Sequence, residues 1–352
     1  MNRKKDKILV TVVVILTFVL VIVALCAVIV LTEESDFPIG IASVVAPVGV
    51  ICASILDLRK SRKKSSAPQK AQTEEEYEIR DKEKLDAILR EIKERTKTEY
   101  YKIHLVKEPT DLYSSKLGGV PYWELSRPYP TDSKGNKLVL LAQINFEKEN
   151  FEDERLPRTG LLQFFIADDD CFGCSFGCSG DNRQENWRAV YHETVVENVS
   201  EEDIRKLEIP THKTAEDFPM EKDAEAMALK FEKRTGCIST ADYRFDDLFV
   251  PLFKEKFDVE GTEAYWIGLL SSEEIEYVGH ALDDWGHKLL GYPNFTQEDI
   301  RRDGSPYDTL LLEIDSDDTI MWGDSGIANF FIPSEALKNR DFSKVTYSWD
   351  CC

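Results

Sequence analysis

Three ordered stretches of sequence recur towards the two ends of the chain, and this internal repeat constrains the fold more than any other feature. Leu117-Gly118-Gly119-Val120-Pro121 corresponds to Leu289-Leu290-Gly291-Tyr292-Pro293. Leu140-Leu141-Ala142-Gln143-Ile144-Asn145 corresponds to Leu310-Leu311-Leu312-Glu313-Ile314-Asp315, and Gly160-Leu161-Leu162-Gln163-Phe164-Phe165 to Gly326-Ile327-Ala328-Asn329-Phe330-Phe331. The offset drifts from 172 to 170 to 166 residues, as loop insertions would produce. Each copy supplies a Gly-x-Pro turn, a buried strand ending in Gln/Glu-Ile-Asn/Asp, and a glycine-led aromatic strand. Duplicated halves usually face each other about a pseudo-twofold axis, and the seam between them is the default cleft. The cleft expected on this basis is lined by Gly119, Pro121, Tyr122, Gln143, Asn145, Gly291, Tyr292, Pro293, Glu313, Asp315, Trp322 and Asp324.

The N-terminus is of another kind. Ile8 to Leu31 is an apolar run broken only by Thr11 and Thr17, and Phe37 to Leu56 is a second uncharged run containing Pro38, Gly40, Pro47 and Gly49. At 1.5 Å per residue the first is about 36 Å long, enough to cross a hydrocarbon core of about 30 Å. Basic residues flank the pair (1–7 before it, Arg59 to Lys64 after it), while the 32–36 connector is acidic. The positive-inside rule then predicts two transmembrane helices, 8–31 and 37–56, with both termini and a large domain in the cytoplasm. Residues 57–72 read as a basic flank and linker.

Of the formal charge of −21, residues 1–64 contribute +4, so the remainder carries −25. So acidic a body repels phosphate backbones, and nucleic acid is not an expected partner. Aromatic residues make up 11% of the chain, enough with its aliphatics to fill a core and to argue against disorder.

From Thr73 to about Lys97 a capping-box start and apolar residues at Ile79, Leu85, Ile88, Leu89 and Ile92 predict an amphipathic helix. Short β-like runs follow at Tyr101–Val106, Leu138–Ile144, Leu161–Ile166, Trp187–Tyr191, Thr309–Ile314, Ile327–Ile332 and Val345–Trp349, with helices expected over Glu216–Arg234, Ser271–Trp285 and Pro333–Lys338. The expected fold is α+β, a mostly antiparallel sheet in two pseudo-repeated halves (98–200 and 271–352, joined by 201–270), preceded by the two membrane spans.

The same words carry a family resemblance. Gly119-Val120-Pro121-Tyr122, Leu141-Ala142-Gln143-Ile144-Asn145-Phe146 and Gly160-Leu161-Leu162-Gln163-Phe164-Phe165 resemble the YwqG-like proteins, domain of unknown function 1963. Gly291-Tyr292-Pro293-Asn294-Phe295-Thr296-Gln297, Leu312-Glu313-Ile314-Asp315-Ser316-Asp317, Trp322-Gly323-Asp324-Ser325-Gly326, Asn329-Phe330-Phe331-Ile332 and Tyr347-Ser348-Trp349-Asp350-Cys351 extend it from about Glu75 to Cys352. The N-terminal pair of runs departs from the soluble members. The resemblance implies a bacterial protein with an intracellular domain and no established catalytic activity. It also suggests an immunity or binding role, with a protein or toxin as partner.

Other motifs name chemistries to be weighed. Cys171, Cys174 and Cys178 have the spacing of zinc thiolates, with His192 or one of Asp168, Asp169 and Asp170 as a fourth ligand; the alternative is a Gly-rich loop of reduced thiols and no cofactor. Cys351-Cys352 reads most simply as a pair of unmodified thiols. Gly323-Asp324-Ser325-Gly326 copies a serine-protease word without a matching histidine context, and a turn accounts for it better. Asp315-Ser316-Asp317-Asp318 opens like a calcium loop but lacks its glycine and last carboxylate. His280 and His287 bracket Asp283 and Asp284, a metal or acid–base grouping if the fold closes it. Against a binding module stands an enzyme using Glu313, Asp315 and Asp324, which requires those carboxylates to share one pocket.

Overall fold

The structure, a computed structural model, describes residues 79–175 and 183–352, all within the second of the chain's two compact units, Arg62–Cys352.

Strands buried on both faces dominate the described chain. β1 (Thr98–Val106) leads to β2 (Lys116–Leu117), β3 (Val139–Asn145), β4 (Leu161–Ile166) and β5 (Trp187–His192). β6 (Met227–Gly236), β7 (Lys288–Leu289), β8 (Thr309–Asp315), β9 (Ile327–Ile332) and β10 (Thr346–Asp350) complete the set. In β3, β4 and β9 every residue is buried, which explains near-continuous apolar runs rather than clean alternation.

All ten strands form one antiparallel sheet in the order β10-β9-β8-β7-β1-β6-β2-β3-β4-β5. The nine-residue β1–β6 ribbon, Thr98 opposite Gly236 through Val106 opposite Ala228, is its centre. Outward from it the two flanks mirror each other, and both carry a register shift at the same place, between Leu140 and Ala142 in β3 and between Leu310 and Leu312 in β8. The sheet curls until its ends meet through side chains. Phe164 of β4 lies 4.7 Å from Phe330 of β9, and Trp187 of β5 lies 5.7 Å from Tyr347 of β10, ring centre to ring centre. The result is a nearly closed barrel whose lumen is filled by apolar side chains from both flanks.

This corrects the expected fold class. The repeats do not build two halves with a seam between them; they are the flanks of one continuous sheet stitched by β1 and β6. The expected helix over Glu216–Arg234 is also wrong: its last eight residues lie in β6, and the rest is turn and loop. Lys230, Glu232, Lys233 and Arg234 hide the alternation of Leu229 and Phe231, which sit opposite Leu105 and Ile103.

The membrane expectation is corrected too. Among the described residues no helix is long and apolar enough to cross a membrane, so a two-span membrane protein with a cytoplasmic domain is not supported. The runs Ile8–Leu31 and Phe37–Leu56 themselves lie outside the described residues. The first described helix, α1 (Lys82–Arg95), spans only about 21 Å and is charged on its outer face. Asp81 caps it, in place of the expected start at Thr73, which lies outside the described residues.

α1 buries Leu85, Ile88, Leu89 and Ile92, one stripe at helical spacing. Short α2 (Phe146–Glu149) and α3 (Glu201–Arg205) follow. The stripe of α1 packs with α4 (Phe245–Phe257) and α5 (Ser272–Leu282) as a separate apolar layer. In α4 the rings of Phe245, Phe249, Phe253 and Phe257 succeed one another at 5.5, 5.8 and 4.3 Å. Its Pro251 is what masks this helix in the sequence. α6 (Ser334–Lys338) and a 3₁₀ turn, Phe342–Lys344, precede the last strand.

One glycine in each flank secures the strand pairing. Gly160 has φ +84°, and a Cβ there would lie 2.5 Å from the His192 carbonyl oxygen; a Cβ on Gly326 would lie 1.9 Å from that of Asp350. Gly160→Ala is expected to destabilise the fold by about 1–2 kcal/mol, read as a lower denaturation midpoint at unchanged m. A midpoint equal to wild type would show that β4 and β5 need no such close approach.

Candidate functional site

Polar residues in the two flanks form matching rows across the sheet. Lys116, Gln143 and Gln163 are register partners across β2, β3 and β4; Lys288, Glu313 and Asn329 are register partners across β7, β8 and β9. Each row is roofed by a crossing segment. The Tyr122 amide donates to Gln143 Oε1 at 3.0 Å, and the Asn294 amide to Glu313 Oε2 at 2.6 Å. The Tyr122 carbonyl accepts from Gln163 Nε2 at 2.7 Å, and that of Asn294 from Asn329 Nδ2 at 2.9 Å. Lys116 and Lys288 close the rows by donating to the carbonyls of Asp111 and Asp284. The Gln/Glu-Ile-Asn/Asp words are therefore roof anchors: a buried acceptor meets a backbone N–H that would otherwise be stranded.

The two rows differ in charge. The first uses amides and the His192 ring, which bonds Gln163 at 2.9 Å and Arg127 at 3.1 Å. Burial, with Arg127 beside it, pushes the His192 pKa down to about 4. The second row contains a buried ion pair, Lys288 to Glu313 at 3.3 Å. It also leaves Asn294 Oδ1, Thr296 Oγ1, Asn329 Oδ1 and Asp350 Oδ1 buried without a partner, together with Trp322 Nε1 of the barrel core.

The residues expected in one cleft are thus distributed. Tyr122, Gln143 and Asn145 belong to the first roof and row, with Gly119 and Pro121 in the chain leading to them; the Gly119 amide donates to His212 Nδ1. Gly291, Tyr292 and Pro293 lead into the second roof above Glu313. Trp322 is fully buried among core aromatics, and Asp324 is exposed. The three carboxylates proposed for catalysis share no pocket. Glu313 is bound by Asn294 and Lys288, while Asp315 accepts from the Gly286 and Ser316 amides at 2.8 and 2.7 Å.

The other motifs resolve in similar ways. His280 lies on α5 beside Glu276, while His287 accepts from the Asp315 amide and meets Asp317 at 3.1 Å, so the two histidines serve different neighbours. Asp317 also accepts the Thr319 and Ile320 amides, forming a turn rather than a calcium loop. Gly323-Asp324-Ser325-Gly326 is a turn into β9, closed by the Gly326 amide donating to the Trp322 carbonyl. Cys171, Cys174 and Cys351 are half-buried and Cys352 is exposed; Cys178 lies outside the described residues. Asp169 caps the Cys171 and Gly173 amides, and Asp168 accepts from Glu216 and Asp217. Among the described residues no three His, Cys, Asp or Glu side chains are placed to hold a metal.

A concavity of about 430 Å³ opens instead beside the central ribbon, where the end of α1, the paired ends of β1 and β6, and the segment after α5 converge. Asp284 is its organising group, accepting from the Tyr100 hydroxyl and from Lys102 Nζ at 2.9 Å. Burial opposes the Asp284 charge, but Lys102 and Tyr100 hold its carboxyl below the usual range. Burial lowers the Lys102 pKa and, with Asp284, raises that of Tyr100. Asp283, bonded to the Thr240 amide and hydroxyl, is pushed up to about 6 by burial. Burial also raises the Cys237 thiol, which is therefore no activated nucleophile. Exposed Lys93 and Lys97 stand on the rim, and neither pairs with a carboxylate among the described residues. Sequence reasoning singled out Asp283 and Asp284 but missed Tyr100, Lys102, Lys93 and Lys97. The available signal was Lys102, a charge set between the buried Tyr101 and Ile103 of β1.

Fold and site together define a pseudo-symmetric antiparallel barrel domain with a polar pocket beside its central ribbon. The family model described as "Domain of unknown function (DUF1963)" matches residues 115–351, and the chain belongs to that family. The match starts after β1, so the central strand of the sheet lies ahead of it. No curated protein matches the chain.

Proposed function

We propose that this chain is a YwqG-like recognition module that acts by binding a protein, with an immunity-type contact to a toxin as the narrower form of the same reading. The observation that supports it is the pocket at Asp284. Its inner groups Tyr100, Asp283 and Asp284 are already hydrogen-bonded, while Lys93 and Lys97 on its rim, without a carboxylate partner among the described residues, offer contacts to an acidic side chain of a partner. Positive groups at the mouth of a pocket on an otherwise acidic body steer such a partner to one place.

The test is crosslinked capture from native cells with the full chain, run beside a Lys93→Glu/Lys97→Glu variant. One partner should be retained by wild type and reduced roughly tenfold in the variant, since two reversed rim charges slow encounter and weaken the contact. Equal capture by both chains, or no specific partner for either, rejects the reading.

A further inference from the structure

A second concavity, of about 480 Å³, lies between the edge strand β5 and the Phe342–Lys344 turn. Its lining includes Arg127, Arg183, Arg188 and Arg340, with Asp341 and Ser343 at the turn. Four guanidiniums around one hollow are conspicuous in a body that carries −25.

Their partners show what is missing. Arg183 pairs with Glu185 at 3.3 Å, both exposed. The other three have no carboxylate partner among the described residues. Arg188 donates to the Trp187 and Thr131 carbonyls at 2.9 and 3.1 Å. Arg340 donates to the carbonyls of Leu337, Leu156 and Arg155. Among the described residues the Arg127 guanidinium bonds the His192 ring and lies near the Trp123 ring. Asp341 does not neutralise them; its Oδ1 accepts from the Ser343 amide and hydroxyl, capping the turn.

Carbonyls and an imidazole orient a guanidinium without cancelling its charge, and partly burying such a cation is unfavourable unless an anion joins it. Burial accordingly lowers the pKa of both Arg188 and Arg340. Donors remain for that anion. A guanidinium has five N–H groups; Arg188 uses two on carbonyls, Arg340 three and Arg127 one. Planar forks with unspent N–H groups match the oxygen edges of phosphate, which they bind bidentately.

We infer that this hollow binds a small phosphate-bearing molecule, with its phosphate received among Arg127, Arg188 and Arg340. Three guanidiniums with no carboxylate bonded to them among the described residues suit a dianion better than a single carboxylate. The volume falls within the ordinary range for small-molecule sites. A nucleic-acid backbone is disfavoured by the net negative charge of the chain, whereas a compact ligand inside the hollow is shielded from charges beyond about 8 Å at physiological salt. The site shares no lining residue with the Asp284 pocket, so it stands or falls independently of the protein-binding reading.

The experiment is calorimetric titration of the full chain with inorganic phosphate, and separately with citrate, at matched ionic strength. Wild type should bind phosphate saturably in the millimolar range or tighter. Arg188→Gln should weaken binding roughly tenfold, as expected for loss of a charge-assisted donor. Because Arg188 also holds two carbonyls, Ser343→Asp provides a second variant. Ser343 is exposed and its hydroxyl donates to Asp341, so the new carboxylate should lower the thermal midpoint slightly through loss of that bond, leave the chain folded, and weaken phosphate at least as much. No saturable phosphate binding by wild type, undiminished binding by Ser343→Asp, or tighter binding of citrate than of phosphate overturns the inference.

Discussion

Replacing Lys288 with methionine is expected to destabilise the fold by about 3–5 kcal/mol, the range for breaking one side of a buried ion pair. Lys288 and Glu313 are 4% and 0% exposed, with N and O atoms 3.3 Å apart. Both carboxylate oxygens are already committed, one to the Asn294 amide and the other to Asn294 Nδ2 and Lys288. Removing the ammonium leaves an uncompensated carboxylate under the roof, where burial already raises its pKa. Glu313→Gln alone should be milder, about 1–2 kcal/mol, because the opposite flank already demonstrates that arrangement. There Lys116 sits beside Gln143 and donates to a carbonyl, with burial pushing its pKa down to about 8. The double variant Lys288→Met/Glu313→Gln should recover most of the loss caused by Lys288→Met, since neither buried charge remains. Denaturant unfolding of all four chains completes the cycle. A Lys288→Met midpoint close to wild type, or a double variant no better than that single one, would show that the pair does not hold the second roof.

How much of this was legible in the sequence follows from where each signal lies. Leu161–Ile166 and Ile327–Ile332 are strands with the bounds their apolar runs predict, because burial on both faces leaves each run apolar except for its row residue, Gln163 or Asn329. β6 was not legible, because charges on its outer positions imitate a helical surface. α4 was hidden by Pro251, although its four phenylalanines keep helical spacing. The repeat marked Gln143 and Glu313 as equivalent, but sequence does not tell a cleft-lining acceptor from a roof anchor. That distinction depends on which backbone N–H crosses above the strand. Both pockets escaped notice for a related reason. The Asp284 hollow draws on residues from Lys93 to Tyr292, and the arginine hollow on residues from Arg127 to Ser343, each joined only by the curl of the sheet. A scattered arginine reads as surface charge until the structure shows that it has no acid beside it.

Asp350→Asn should increase stability at neutral pH by about 2–3 kcal/mol and flatten its dependence on pH. Asp350 Oδ2 accepts the Thr296 and Gln297 amides at 2.8 and 2.7 Å, while Oδ1 is buried without a partner. Burial pushes the pKa of this carboxyl up to about 6 despite the two amide bonds, and Glu313 adds to the rise. In the unfolded chain the same group titrates near its ordinary value of 3.8. Between about pH 4 and pH 6 the unfolded state therefore gives up its proton first, and the folded state loses stability as pH rises through that window. Above about pH 6 the whole cost is present; below about pH 4 it is absent. Asparagine keeps an acceptor for the two amides and carries no charge. The opposite flank supports the direction, because His192 holds the matching place, opposite Leu161 as Asp350 is opposite Ile327, and titrates low enough to stay neutral. Unfolding curves for both chains from pH 4 to pH 7.5 should nearly coincide at the acid end and diverge towards neutrality. A variant less stable at pH 7 with the wild-type slope would assign the pH dependence to another acid, Asp283 first, whose carboxyl is also pushed up to about 6.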